Sequence, residues 1–170
     1  MKRKRLVAVA ALAMVIAVPL TRAQADSAEQ STASVTLMSD PSKVGSSTLT
    51  RTDDGLAFTL QTTRLEAGHA VTIWWMVTNP DGGMAVLYGA GHVIGAAGAG
   101  SFAGSLSVGD GAGYAMGDDT TLEDSLNATV VLIVRDHGPA AAAAVADQIH
   151  TIDTCNTTCT DQQMSVHAPS

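Results

Sequence analysis

The chain has 170 residues, 46% of them hydrophobic and only 4% aromatic, with nine Lys and Arg against 16 Asp and Glu and a formal net charge of −7. Five of the basic residues (Lys2, Arg3, Lys4, Arg5 and Arg22) fall within the first 25 positions, and every acidic residue lies after them. Beyond residue 25 only Lys43, Arg51, Arg64 and Arg135 face the 16 carboxylates, a formal −12, which excludes nucleic-acid binding by counterion release and attraction to anionic lipid headgroups.

The cationic block Lys2–Arg5 is followed by an unbroken apolar run from Leu6 to Val18, then Pro19, then Ala23-Gln24-Ala25. That order is the charged region, apolar region and small-residue cleavage site of a secretory signal. The 13 apolar residues reach about 20 Å as a helix, short of a hydrocarbon core of about 30 Å. Residues 1–25 are therefore read as a cleavable signal peptide. The expected product is secreted or periplasmic and has no membrane anchor. Residues 26–33 are small and polar and read as a flexible leader, with a single domain over 34–170.

Short β-type runs follow at 34–38, 47–52, 56–63, 70–78, 84–88, 92–95, 101–108, 128–135 and 162–167. Turn signals separate them, among them Asp53-Asp54-Gly55, Glu66-Ala67-Gly68 and Asn79-Pro80-Asp81-Gly82-Gly83. Leu56, Phe58 and Leu60 alternate with Ala57, Thr59 and Gln61, the mark of a strand with one face in the core. The runs 70–77 and 130–134 are apolar at almost every position and predict central strands buried on both sides. Residues 109–119 read as an irregular loop, with a short turn at 121–126. Pro139 and the alanines after it predict one short helix from Ala140 to Ile149. The fold expected is all-β, an antiparallel sandwich of about eight strands with that one helix.

Cys155 and Cys159 are the only two cysteines, and in an exported protein they are expected to form a disulfide that pins the tail before the last strand. A sharper alternative is redox or copper chemistry, for which C-x-x-x-C with a nearby histidine is a known ligand set. That use belongs to thioredoxin-like motifs at a helix start after a strand, which the Asn-Thr-Thr loop and tail position here do not fit. Five histidines are present, and none forms an H-x-H or H-x-x-x-H pair. His69, His137 and His167 stand at predicted strand ends. If those strands are antiparallel neighbours, His69 and His137 fall at one sheet edge, and three imidazoles gathered there would make a zinc or copper site. The favoured reading is that each is a strand-end histidine hydrogen-bonded locally.

Arg135-Asp136-His137-Gly138-Pro139 is the densest polar motif and leaves a buried strand, so it predicts a structural turn network. Arg135 is expected to pair with a carboxylate and to hold the Asp136–Pro139 turn, whereas Arg51 and Arg64 are expected at the surface. Asp136-His137 also suggests half of a hydrolytic triad, but no G-x-S-x-G nucleophile elbow accompanies it. The acidic group Asp110, Asp118, Asp119, Glu123 and Asp124 lacks the spacing of a calcium loop and suggests at most a weak calcium site. Trp74 and Trp75 must face opposite sides, one of them in the core and the other conceivable as a sugar-stacking platform.

Gly68-His69-Ala70-Val71-Thr72-Ile73-Trp74-Trp75, then Asn79-Pro80, then Val134 to Pro139, then Gln148, the two cysteines and Val166-His167 resemble a group of secreted bacterial proteins of no known activity. The resemblance covers about residues 45–168 and implies one compact domain. Members of that group often carry further cysteines after the Asn-Pro turn, where this chain has Asp81-Gly82-Gly83. Together these readings predict an exported, non-enzymatic binding or interaction module with a protein or small-molecule ligand and no required cofactor. The alternative is an extracytoplasmic copper- or zinc-binding protein.

Overall fold

The computed structural model describes residues 28–111 and 121–169. The expected signal peptide, the first residues of the leader, and Asp118 and Asp119 of the acidic loop lie outside that range. Eight strands are present: β1 Glu29–Leu37, β2 Lys43–Thr52, β3 Gly55–Thr62, β4 His69–Thr78, β5 Met84–Val93, β6 Gly100–Ser107, β7 Thr129–Pro139 and β8 Thr160–His167. Residues 29–33, expected in the leader, form the first half of β1 instead, paired with β2 from Glu29↔Arg51 onward. The runs at 84–88 and 92–95 are one strand. Its pairing with β4 slips between Ile73 and Trp74, so Gly89 is accommodated as a bulge.

All eight strands are antiparallel in a single sheet of order β5-β4-β7-β8-β1-β2-β3-β6. The expected sandwich is thus corrected to one nearly closed, barrel-like sheet. The edges β5 and β6 meet where neither carries a side chain. A Cβ on Gly104 would lie 2.7 Å from the Gly89 carbonyl oxygen and 2.8 Å from Phe58 Cε1. Two glycines therefore let the ends of the sheet come together.

Alternation along each strand points one set of side chains inward. Leu49, Phe58, Leu60, Val71, Ile73, Trp75, Leu132 and Val134 belong to the buried interior cluster. Trp75 packs edge-on against Phe58, with ring centroids 4.9 Å apart. Strand β4 is buried on both faces, as its composition predicts, because a second, outer cluster of Trp74, Val86 and Ile152 covers it. Strand β7 alternates, with Val130, Leu132 and Val134 inward and Val131 and Ile133 only half-buried.

The outer cover is the excursion from β7 to β8. The expected helix shrinks to one turn, α1 Val145–Gln148. Alanine propensity is a weak prior beside tertiary ties. Here buried Gln148 sets the path, its Nε2 donating to the His137 and Pro139 carbonyls and its Oε1 accepting from the Ala141 amide. Among the described residues no helix is long and apolar enough to cross a membrane.

Candidate metal centre

The strand pairing decides which residues meet. Asp136 of β7 faces Thr160 of β8, so the residue after Asp136 lies beside the residue before Thr160. Those are His137 and Cys159. The excursion folds back over the outer face at this point, and Asn156 N–H donates to the His137 carbonyl at 2.7 Å. Gly138 permits the approach. It has φ +81°, and a Cβ there would lie 2.1 Å from the Asn156 carbonyl oxygen. Cys155 and Cys159 sit at disulfide distance, with Cα atoms 5.4 Å apart.

His137 is fully buried. Its Nδ1 lies 3.0 Å from the Thr154 carbonyl oxygen, 3.3 Å from Cys155 Sγ and 3.9 Å from Cys159 Sγ. Its Nε2 meets Thr72 Oγ1 at 2.8 Å, and that hydroxyl accepts the Trp74 indole N–H at 2.7 Å. The Thr154 carbonyl can only accept, so its contact with Nδ1 requires a hydrogen there, and Nε2 of the neutral ring accepts from the Thr72 hydroxyl. Nδ1 therefore carries the ring proton and directs it at Thr154 and the sulfurs. Burial holds this imidazole below its ordinary pKa, so the ring is neutral. One Nδ1 and two Sγ atoms lie within 4.8 Å of one another, and this is the one group of three or more potential ligand residues among those described.

The three-histidine site does not form, because strand geometry separates its members. His69 lies on the other face of the β4–β7 pair and makes a contact of 2.9 Å from Nδ1 to the Asp136 carboxylate. Asp136 also accepts from the Gly138 amide at 2.7 Å and from Gln162 Nε2 at 2.7 Å. The hydrolytic reading is corrected with it: Asp136 orients His69 and not its neighbour His137, as alternation along a strand requires. His167 lies at the far end of β8, opposite Val130, where it bonds Ser31 and Ser47 inside the sheet. Along β7, Val130 and His137 are seven positions apart, or about 23 Å at the rise of a strand.

Arg135 makes its expected charged pair, with a different consequence. Its Nε and Nη2 grip Asp161 and its Nη1 donates to the Ile152 carbonyl at 2.9 Å. It therefore fastens the excursion, while Asp136 and Gln148 hold the Asp136–Pro139 turn. Trp74 is 2% exposed, which removes it as a sugar platform. In the acidic group, Asp110 caps the Ser107 amide and Asp124 caps Leu126 and Asn127, so their oxygens serve local turns. An open groove of about 480 Å³ beside β2, β3 and β6, lined by residues such as Gly45, Gln61, Thr62 and Ser101, has no titratable or aromatic side chain in its wall.

No protein-family model, curated protein or solved structure matches this chain significantly.

Proposed function

We propose that this chain is an exported, non-enzymatic binding module whose ligand is a soft metal ion, copper(I) or zinc. His137, Cys155 and Cys159 would hold it when the cysteines are reduced. The observation that carries the reading is the approach of His137 Nδ1 to both sulfurs, at 3.3 and 3.9 Å, with the far ring nitrogen anchored on Thr72. Thiolate and imidazole donors suit copper(I) and zinc, and three ligands suit copper(I) better, because structural zinc takes four. A ligating histidine is ordinarily oriented through its second nitrogen, which is the part Thr72 plays. To ligate, Nδ1 gives up its hydrogen and the ring carries the proton on Nε2, donating it to Thr72 Oγ1. Export is supported by the pattern of residues 2–25, and it suits an acidic chain that carries a single cysteine pair.

The G-H-x-x-T-x-W-W and R-D-H-G-P motifs both contribute residues to this site. Thr72 and Trp74 come from the first motif and His137 from the second, and they adjoin one another around the cysteine pair.

The test is competition of reduced full-length protein against a chromogenic copper(I) or zinc chelator. One ion per chain is expected, with affinity lost in Cys155→Ser/Cys159→Ser and weakened at least about tenfold in Thr72→Val. No uptake by the reduced protein, or equal uptake by the double serine variant, would end the proposal.

A further inference from the structure

The loop between the two cysteines carries a feature that metal binding does not use. Thr157 has φ +84°, one of only two positive values at non-glycine residues among those described, the other being Arg64 at +60°. A β-branched residue in the left-handed region is a steric outlier. Such strain persists only where the surroundings fix it, and here they do. Asn156 N–H donates to the His137 carbonyl at 2.7 Å, and Asn156 Nδ2 donates to the Pro139 carbonyl at 3.0 Å. The sulfurs close the other side of the loop. Asn156, Thr157 and Thr158 are exposed and both cysteines are half-buried, so an incoming thiol can reach the bond. Strained, accessible disulfides have the more oxidising potentials, in contrast to buried structural ones.

The surroundings of the two sulfurs differ. His137 Nδ1–H stands 3.3 Å from Cys155 Sγ and 3.9 Å from Cys159 Sγ, and the acceptor-only Thr154 carbonyl, 3.0 Å away, keeps that hydrogen on Nδ1. Charge arriving on Cys155 therefore meets a donor already in place, the arrangement that favours a leaving group. Cys159 Sγ faces the Ile152 carbonyl oxygen at 3.5 Å, an acceptor that offers nothing to an anion.

We propose that Cys155–Cys159 is an exchangeable disulfide that oxidises dithiols, with Cys159 the sulfur attacked and Cys155 the leaving thiolate. A thiolate of the incoming dithiol forms a bond to Cys159 Sγ. The Cys155–Cys159 bond breaks, and its electron pair passes to Cys155 Sγ beside Nδ1–H. The second thiolate of the same dithiol then attacks the mixed disulfide and releases Cys159. The dithiol leaves as a disulfide, two electrons have moved to the protein, and the two protons of the incoming thiols pass through solvent to the two protein sulfurs. This activity needs no metal and does not rest on the metal reading.

The experiment uses full-length protein in chelator-containing buffer, so a failure here is separate from a failure to bind metal. Reduction by dithiothreitol and equilibration with glutathione buffers are followed by alkylation and intact mass. Reduction of the native protein within minutes is expected, with trapped glutathione mapping to Cys159. His137→Phe is expected to slow reduction about tenfold and to spread glutathione over both cysteines. Thr157→Asn places a residue that tolerates the left-handed region and leaves both sulfurs and His137 in place. It is expected to move the glutathione equilibrium several-fold toward the disulfide, which keeps the test decisive if the His137 variant does not fold. A bond that excess glutathione reduces only after unfolding would overturn the proposal. So would even mapping in the wild type, or an equilibrium that Thr157→Asn leaves unmoved.

Discussion

Arg135 and Asp161 face each other across the β7–β8 pair in a two-pronged ion pair, and the remaining arm of Arg135 reaches the Ile152 carbonyl at 2.9 Å. One guanidinium thus ties the sheet to the excursion that covers it. The pair is partly exposed, with side-chain exposures of 21% and 33%, so solvent screening tempers its worth. Arg135→Met keeps the apolar stem and removes the charge-assisted bonds. Thermal or urea unfolding should show a loss of about 1–2 kcal/mol. An unchanged midpoint would mean that the excursion is held without Arg135.

Arg51 should be the more costly arginine to replace. Sequence reasoning places it at the surface, yet it is 1% exposed. It donates to the Ser125 carbonyl at 2.7 Å and to the His167 and Ala168 carbonyls at 3.3 Å. No carboxylate lies within ion-pair distance among the described residues, and Nε has no partner there. Arg51→Met strands two buried carbonyls, those of Ser125 and His167, at about 1–3 kcal/mol for each buried group left unsatisfied. The expected order of unfolding midpoints is Arg64→Met highest, then Arg135→Met, then Arg51→Met. Equal losses at positions 51 and 64 would show that the buried bonds of Arg51 carry no net stability.

The strands were legible because burial on one face writes a two-residue period, and because β4 is apolar on both faces. Closure of the sheet was not, since alternation is the same in a sandwich and in a barrel. The difference lies in which strand meets β5, and the sequence signals that only through Gly89, which reads as a break between two runs, and Gly104, which stands unremarked inside the run 101–108. Arg51 deceived because its alternation matches Leu49, an inward position, while its charge argues for water. At the site, Cys155 and His137 stand 18 residues apart, and the pairing Asp136↔Thr160 together with the Asn156 N–H to His137 carbonyl bond brings them together. That pairing was within reach. A strand ending at the R-D-H-G-P motif and a strand beginning just after Cys159, if adjacent and antiparallel, place the histidine beside the cysteine. Thr72 gave no sign of its part, because a threonine in a strand is unremarkable until its partner is known.

His167 is expected to make the protein acid-sensitive. Ser47 Oγ donates to Ser165 Oγ at 2.9 Å, so it accepts from His167 Nε2 at 2.8 Å, and Nδ1 accepts from Ser31 at 2.8 Å. The ring joins β1, β2 and β8 while neutral. Burial, and then nearby Arg51, hold its pKa below the ordinary imidazole value. The unfolded chain therefore binds a proton first as pH falls, and the stability from this group is complete above about pH 6.5. It is lost progressively below that, down to the depressed folded-state value. A single such group limits the slope to about 1.4 kcal/mol per pH unit. Unfolding free energy measured from pH 7.5 to 5 should decline, and His167→Gln should flatten part of that decline. Parallel profiles for the two proteins would remove His167 as the cause.

The near-closure of the sheet is tested most directly at Gly104. In an open sandwich its Cα would face solvent or a loosely packed edge, and a β-branched residue would be tolerated or even favoured in a strand. Here a Cβ would come within 2.7 Å of the Gly89 carbonyl oxygen and 2.8 Å of Phe58 Cε1, closer than packed atoms sit. Phe58 cannot yield easily, because its ring stands edge-on to the fully buried Trp75 at 4.9 Å. Gly104→Val must therefore push β6 away from β5 and open the interior along that seam. Overpacking of a core costs about 1–3 kcal/mol, and the exposed apolar wall adds to it. The expected result is a clear fall in unfolding midpoint together with faster hydrogen exchange confined to β5 and β6. The control is Ala103→Val, one residue earlier on the outward, exposed face of the same strand, where valine should cost little. If the two variants unfold alike, β5 and β6 do not meet and the sheet is open.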